Sequence, residues 1–329
     1  MRILKSIMDL KTLKKRAEII KQVRAFFDRK NYLELDTPLL SPDLIPESCL
    51  EVFQTERIYP HGSRKSSHPL WLIPSPEIWM KKIIAQHKVN VFQICKCFRN
   101  GESTGHLHNS EFTMLEYYTM NANYMDSLAL TEELFSSLVP SPSSLLPFER
   151  ITVANAFEKW AGFDLFAAAE SPGKMEAEAR KLGLDPIPGL SVPVLCDLIF
   201  IHTIEPHLKS DKPVVLLDYP AFITCLAKKS KDRLTVERWE LYWNGIELAN
   251  CFSEETEAQN VKRFFNSEAK IKEKTALVQH NVDHDYWKIF NDFPCCSGVA
   301  MGLDRLIMAL TGKSNIDSVL QGFWEPCGK

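Results

Sequence analysis

The sequence predicts an α+β protein with an antiparallel sheet flanked by helices. Three observations lead there. Two runs, 89–99 and 111–119, have strand character and are joined by a polar, glycine-containing loop, Asn100 to Ser110, which makes a long hairpin. A second pair, 235–243 and 246–252, is joined through Asn244-Gly245, a dipeptide that tight hairpin turns favour. Strands and helices do not alternate as βαβ units, which argues against a doubly wound sheet.

The remaining elements follow in chain order. Residues 13–30 read as a helix, because Leu13, Ala17, Ile20, Val23 and Phe27 recur at three- and four-residue spacing. Tyr32 to Asp36 alternates like a strand, and Thr37-Pro38 ends it. Residues 41–69, rich in Pro, Ser and His, predict loops with short strands. Residues 76–87 read as a helix with Pro76 in its first turn. A Pro/Ser-rich linker, 139–148, leads to a mostly helical insertion near 150–211, within a single domain spanning 1–329. Strand character returns at 213–218, a charged helix occupies 255–275, and Gly298 to Leu310 reads as a strand running into a helix.

Bulk properties exclude several classes. The 329 residues carry 25% charged and 45% hydrophobic side chains, an ordinary globular balance. A net charge of -3 argues against a broad basic surface, so no stable nucleic-acid partner is expected. No apolar run approaches the roughly 20 residues that span a bilayer, and the N-terminus lacks the layout of a signal peptide. The nine cysteines include no C-x-x-C pair, so they read as reduced thiols of a cytoplasmic protein, not a zinc site. Gly312-Lys313-Ser314 imitates the end of a P-loop, but Ile307 stands where its first glycine must be.

Four constellations could carry chemistry. On the strand 111–119, Phe112, Met114, Glu116 and Tyr118 share one face; on 89–99, Gln93, Cys95, Cys97 and Arg99 share another. An aromatic ring, a carboxylate and a phenol together suit a pocket for a planar base and an ammonium group. They equally suit a solvated amphipathic hairpin, and the residues alone do not choose. Glu247, Asn250 and Glu254 offer oxygen ligands to a hard cation, or only an acidic surface; the two glutamates have opposite strand parity, so one face requires a bulge between them. In Ser297 to Leu306, glycines permit close backbone approach, and Arg305 in the first turn of a helix makes a polyphosphate site. A packing glycine beside a surface arginine is the commoner outcome for such a motif. Ser75-Pro76-Glu77 alone is a helix start with an acid in its first turn.

In sequence order these pieces resemble the three signature motifs of the class II aminoacyl-tRNA synthetases. The helix 13–30 with Tyr32 to Pro38 resembles motif 1, Phe98-Arg99 through Phe112 motif 2, and Gly302-Leu303-Asp304-Arg305 motif 3. His108 to Thr113 and Gly245 to Asn250 resemble the lysyl subgroup. Residues 1–12 are too few for the anticodon-reading barrel of that subgroup. The chain is therefore similar to the stand-alone paralogues that join (R)-β-lysine to a lysine of elongation factor P. Ser75, and Ala300 where lysyl enzymes usually carry glycine, agree with that branch.

The resemblance implies an ATP-dependent, AMP-forming ligase, with ATP as substrate, Mg2+, elongation factor P as acceptor, and a homodimer through motif 1. It implies that Arg99 contacts the α-phosphate and the substrate carboxylate, and Arg305 the γ-phosphate. Phe112 stacks on adenine, Asn109 frames it, and Leu248 and Gly302 line the nucleotide site with Asn100 and Glu102. Glu247 and Glu254 hold Mg2+; Arg99, Arg305 and Glu247 form the catalytic set. Ser75, Pro76, Glu77, Glu116, Tyr118, Glu254 and Ala300 surround the amino acid. The chain departs from the pattern at Gly101, where a glutamate is usual, so Glu102 must serve instead. It departs again at Cys251, which replaces a glycine. Two alternatives stand beside this. One is a truncated lysyl-tRNA synthetase charging tRNA, which the absent barrel and the net charge oppose. The other is a non-catalytic paralogue acting as a binding module, which the retention of Arg99, Glu247, Glu254 and Arg305 opposes.

Overall fold

The hairpin that the period-two runs predict is present in a computed structural model, which describes residues 8–59, 66–101 and 105–320. The chain divides into two units, Met1–Asn121 with Thr256–Cys296 and Ala300–Lys329, and Ala122–Glu255 with Ser297–Val299.

In the first unit, strands Val91–Phe98 and Glu111–Met120 run antiparallel, with Gln93 opposite Glu116, Cys95 opposite Met114 and Cys97 opposite Phe112. The two polar-tolerant faces inferred from parity are thus one surface. The short strand Leu33–Glu34 pairs parallel with the start of Val91–Phe98. It is shorter than the alternation of Tyr32 to Asp36 predicts. Tyr32 instead buries its ring against Phe27 and bonds through its hydroxyl to Thr119, 2.7 Å away.

The first helix, Leu10–Arg29, begins at Asp9, whose carboxylate accepts from the Thr12 amide at 2.8 Å. Its buried line runs through Thr12, Arg16, Ile19, Val23, Phe26 and Phe27. This corrects the predicted stripe: Ala17 is exposed, and the buried face passes through a charged residue that a search for apolar periodicity passes over. Within 40–72 the short strands Leu40–Ser41, Gln54–Tyr59 and Ser66–Leu72 form a small antiparallel sheet. The Phe98 amide donates to the Ile73 carbonyl at 2.9 Å, which places Ser75-Pro76 and the helix Glu77–His87 beside the Arg99 end of the hairpin. Helix Ala258–Thr275 buries Val261 and Phe265 together with Glu268 and Lys272.

The second unit opens with helix Tyr124–Leu138, an element not predicted from the sequence. Asn123 and Asp126 close a reciprocal capping box on it. Strands Val214–Pro220, Thr235–Trp243 and Ile246–Ser253 are successively antiparallel, and Glu149–Thr152 joins the first of them in parallel. Asn244 and Gly245 both take positive φ, 53° and 76°, as a type I′ turn requires. Between Thr152 and Val214 the chain is a series of short helices, including Pro172–Lys181 and Val192–Ile199. They are packed on Phe157, Met175, Leu195, Ile199 and Ile204.

Strand Cys296–Gly302 runs directly into helix Leu303–Thr311. Among the described residues no helix is long and apolar enough to cross a membrane.

Candidate active site

Two groups of charged side chains in the first unit are buried for different reasons. The first joins helix Leu10–Arg29, strand Glu111–Met120 and helix Leu303–Thr311. Arg16 donates to Asp304 at 2.6 Å, to the Val319 carbonyl at 3.1 Å and to the Thr113 hydroxyl at 3.0 Å. The other Asp304 oxygen accepts from the Thr113 amide at 2.6 Å. Every charge has its partner, so this ion pair is tolerated in the interior. Asp304 thereby holds helix Leu303–Thr311 against the hairpin. Arg305 follows on that helix, three residues after its Gly302 cap, and its Nε donates to the Leu107 carbonyl at 3.1 Å. Arg305 is thus tied to the loop that leads into strand Glu111–Met120.

The second group lies along the hairpin face. The guanidinium of Arg99 sits 5.2 Å over the Phe112 ring, within cation–π range. Asn109 accepts from the Glu111 amide at 3.2 Å and shapes the loop just before that ring. Glu116 is only 2% exposed; the Tyr118 hydroxyl donates to one of its oxygens at 2.7 Å. Burial first, and the nearby Glu77 second, hold the Glu116 carboxyl well above the usual carboxylate range, while Tyr118 and Lys81 act the other way. Glu77 is itself bonded to Lys81, a fully buried lysine one turn on, at 2.5 Å.

Four buried atoms on this face have no partner among the described residues: Oε2 of Glu116, Nε of Arg99, and Nε2 and Oε1 of the Gln93 amide. Such atoms are rare in native structures, because each keeps its desolvation cost without a compensating bond. The first belongs to an acceptor in an acidic setting and the second to a cationic donor. A zwitterion offers an ammonium to the first and a carboxylate to the second.

Sequence reasoning missed two members of this group. Lys81 carries no motif signal, although Glu77 and Lys81 stand at the i,i+4 spacing of helical ion pairs. Glu47 falls in a segment read only as loop. Its carboxyl is pushed up to about 7 by desolvation and by Glu77, against Arg99, Lys272 and Lys81. Ser75 is half-buried and Pro76 buried at the cap of helix Glu77–His87. Asn100 bonds through its side chain to the Val52 carbonyl at 3.2 Å, so it supports the loop instead of facing outward. Glu102, expected to replace the missing motif 2 glutamate, lies outside the described residues.

In the second unit the parity conflict between Glu247 and Glu254 is resolved by an irregularity in the strand. Glu247 opposes Tyr242 and Ala249 opposes Leu241, so Leu248 is an extra residue, a bulge. Beyond it Asn250 opposes Glu240 and Phe252 opposes Arg238, and the face that Glu247 occupies is continued by Asn250 and Phe252. Glu254 is buried at the strand's end, bridged through its backbone to Ala227. Glu240 and Arg238 were also missed. Arg238 donates to Glu240 at 2.6 Å and to Asn250 at 3.0 Å, while the Tyr219 and Tyr242 hydroxyls donate to the other Glu240 oxygen at 2.5 and 2.8 Å. The network fixes Asn250 in orientation. Cys251, on the opposite face, is buried with its sulfur 3.3 Å from the Ser297 hydroxyl. Among the described residues no three His, Cys, Asp or Glu side chains form a metal cluster. Mg2+ is usually held by one or two carboxylates with substrate phosphates and water, so carboxylates such as Glu247 and Glu254 fit that ion and would not make a closed metal cage.

These features meet two comparisons with known proteins. The family model for class II tRNA synthetases (D, K and N) matches residues 3–321. The chain is 35% identical over 318 residues to the elongation factor P–(R)-β-lysine ligase of Avibacterium paragallinarum, covering 96% of each chain. It is 35% identical over 313 residues to the ligase of Histophilus somni (strain 2336), and 34% identical over 317 residues to that of Vibrio atlanticus, covering 94% of each chain in both cases. The chain belongs to the class II tRNA synthetase family. The α+β architecture is that of a class II synthetase domain, and among the described residues no separate anticodon-binding domain is evident. In this family member the hairpin carries Arg99 and Phe112, and helix Leu303–Thr311 carries Arg305.

Proposed function

We propose that this synthetase-family enzyme uses ATP to activate (R)-β-lysine as an adenylate and transfers it to a lysine side chain of elongation factor P. The observation that carries this is that two of the unpartnered buried atoms on the hairpin face are oppositely charged groups, Arg99 Nε and Glu116 Oε2, which a carboxylate and an ammonium of one amino acid would satisfy together. The names of the relatives, matched over nearly the whole chain, point to the particular amino acid and acceptor.

In the first step a carboxylate oxygen of the amino acid attacks the α-phosphorus of ATP. The bond to the bridging oxygen breaks and pyrophosphate leaves. In the second, the acceptor's neutral ε-amine attacks the activated carbonyl, AMP leaves, and the nitrogen sheds a proton to form the amide. No side chain of the enzyme becomes covalently attached. Arg99 orients the attacking carboxylate and meets charge on the α-phosphate, Phe112 stacks on adenine, and Arg305 meets the γ-phosphate. The contribution is positioning and charge stabilisation. Glu247 and Glu254 would hold Mg2+, which when bound shields the polyphosphate charge. Glu77, Glu116, Tyr118, Ser75, Pro76, Glu254 and Ala300 frame the amino acid. The same proposal includes a homodimer through the Leu10–Arg29 helix, and one catalytic domain in which the helices between Thr152 and Val214 are an insertion.

Pyrophosphate exchange into ATP tests it, with (R)-β-lysine, α-lysine or no amino acid supplied in parallel. Exchange driven best by (R)-β-lysine, followed by a mass increase of elongation factor P, is the expected result. Exchange driven best by α-lysine, with no modification of elongation factor P, would refute the assignment.

A further inference from the structure

Glu47 lies in an irregular stretch, Pro46 to Val52, that is nevertheless held at several points. Lys272, buried on helix Ala258–Thr275, donates to the Glu47 carbonyl at 2.9 Å and to the Leu50 carbonyl. Glu268, one turn earlier, accepts from the Ser48 amide at 2.9 Å. Glu51 accepts from the amides of Leu277 and Val278 at 2.9 and 3.1 Å. Its own carbonyl accepts from the Asn100 amide at 2.9 Å, so the stretch is bridged to the residue next to Arg99.

None of these bonds uses the Glu47 carboxylate. They fix the backbone and leave the side chain among the charges of the hairpin face. Those acting on it are Glu77, then Arg99, Lys272 and Lys81, with the Cys49 thiol beside it.

The charges on this face balance in a particular way. Glu77 is matched by Lys81. Lys272 is committed to backbone carbonyls. What is left is one cation, Arg99, and two carboxylates, Glu116 and Glu47. A diamino acid is the complement: one carboxylate and two ammonium groups. Glu116 Oε2, buried and unpartnered, is an independent sign of a cationic ligand here.

We propose that Glu47 is a specificity-determining residue of amino-acid activation, receiving one of the substrate's two ammonium groups while Glu116 receives the other. This rests on the amino-acid-activating function argued above. A monoamine would leave one of the two carboxylates without its counter-charge in a desolvated place, which is the origin of the selectivity.

The test compares full-length wild type, Glu47→Gln and Glu47→Asp in pyrophosphate exchange. The substrates are (R)-β-lysine, 6-aminohexanoate, which lacks the ammonium on carbon 3, and (R)-3-aminohexanoate, which lacks the terminal one. The Gln variant should raise KM for (R)-β-lysine about tenfold or more, the scale of a lost charge-assisted hydrogen bond. KM for ATP should stay within about twofold. The preference for (R)-β-lysine should narrow against only one of the two monoamines, the one lacking the ammonium that Glu47 receives. The Asp variant should regain part of the loss. Because the anchoring bonds use the Glu47 backbone, the fold should survive, and a thermal melt checks this. An unchanged KM with both preferences intact in Glu47→Gln overturns the proposal. So does a fall in kcat with KM unchanged, the mark of a structural role, or an Asp variant no better than Gln. Wild type without any lysine-driven exchange overturns the parent function as well. Robust wild-type exchange with an indifferent Glu47→Gln removes this inference alone.

Discussion

The Arg16–Asp304–Thr113 group and the Glu47–Glu77–Glu116 group both bury charge in the first unit, but with opposite accounting. In the first, an arginine and a carboxylate meet at 2.6 Å, and Asp304 accepts on both oxygens. In the second, three carboxylates meet three cations, but Lys81 is bonded to Glu77 and Lys272 to backbone carbonyls, and Glu116 keeps an oxygen without a partner among the described residues. A saturated network can only hold the fold. An unsaturated one stores a preference for whatever completes it. Burial of a charged residue therefore does not by itself mark a site; an unmet valence does.

The largest expected effect comes from breaking the saturated group. Asp304→Ala leaves Arg16 buried without its counter-ion, and unfolding in urea should show a loss of about 3–5 kcal/mol. Next is the unsaturated group. Glu116→Gln keeps the shape and removes a charge that the site already disfavours. KM for the amino acid should rise about a hundredfold while the melting temperature does not fall. A variant that instead unfolds would place Glu116 with the structural charges and break the comparison. Thr113→Val removes one acceptor from the Arg16 guanidinium at near-constant volume and should cost about 1–2 kcal/mol by the same urea measurement.

A last effect separates the groups by pH. The Glu47 carboxyl is raised to about 7, above its unfolded value of 4.5. Between those values the folded enzyme holds a proton that the unfolded chain has released, so this group makes stability fall as pH rises through that window. Glu47→Gln should flatten that slope, melting closer to wild type at pH 4 and above it at pH 8. A slope unchanged in the variant would mean that Glu47 is not a source of the pH dependence.

Local rules made much of this legible. The period-two parity of 111–119 grouped Phe112, Met114, Glu116 and Tyr118, and the observed register sets Gln93, Cys95 and Cys97 across from three of them. The Asn244-Gly245 turn needed only its own dipeptide. The Asn123 and Asp126 capping box was an available signal for helix Tyr124–Leu138 and was not used. What stayed hidden was long-range. Arg16 and Asp304 lie 288 positions apart, and nothing near Arg16 announces a buried partner. Glu47 acquires its setting only when Lys272, 225 positions later, seizes its carbonyl. Electrostatic roles of this kind belong to the assembled fold and not to any window of sequence.

The extra residue at Leu248 also has an evolutionary meaning. A strand displays its side chains like a two-stroke cycle, and one inserted residue advances the cycle by half a turn. The Glu247 strand thereby joins two sequence words that would otherwise point to opposite sides. A deletion of a single codon here would exchange the lining of the strand for its packing side while leaving every chemically important residue in the gene. The most damaging small lesion in this stretch is thus one of phase, which a comparison of amino-acid identities scores as a single gap.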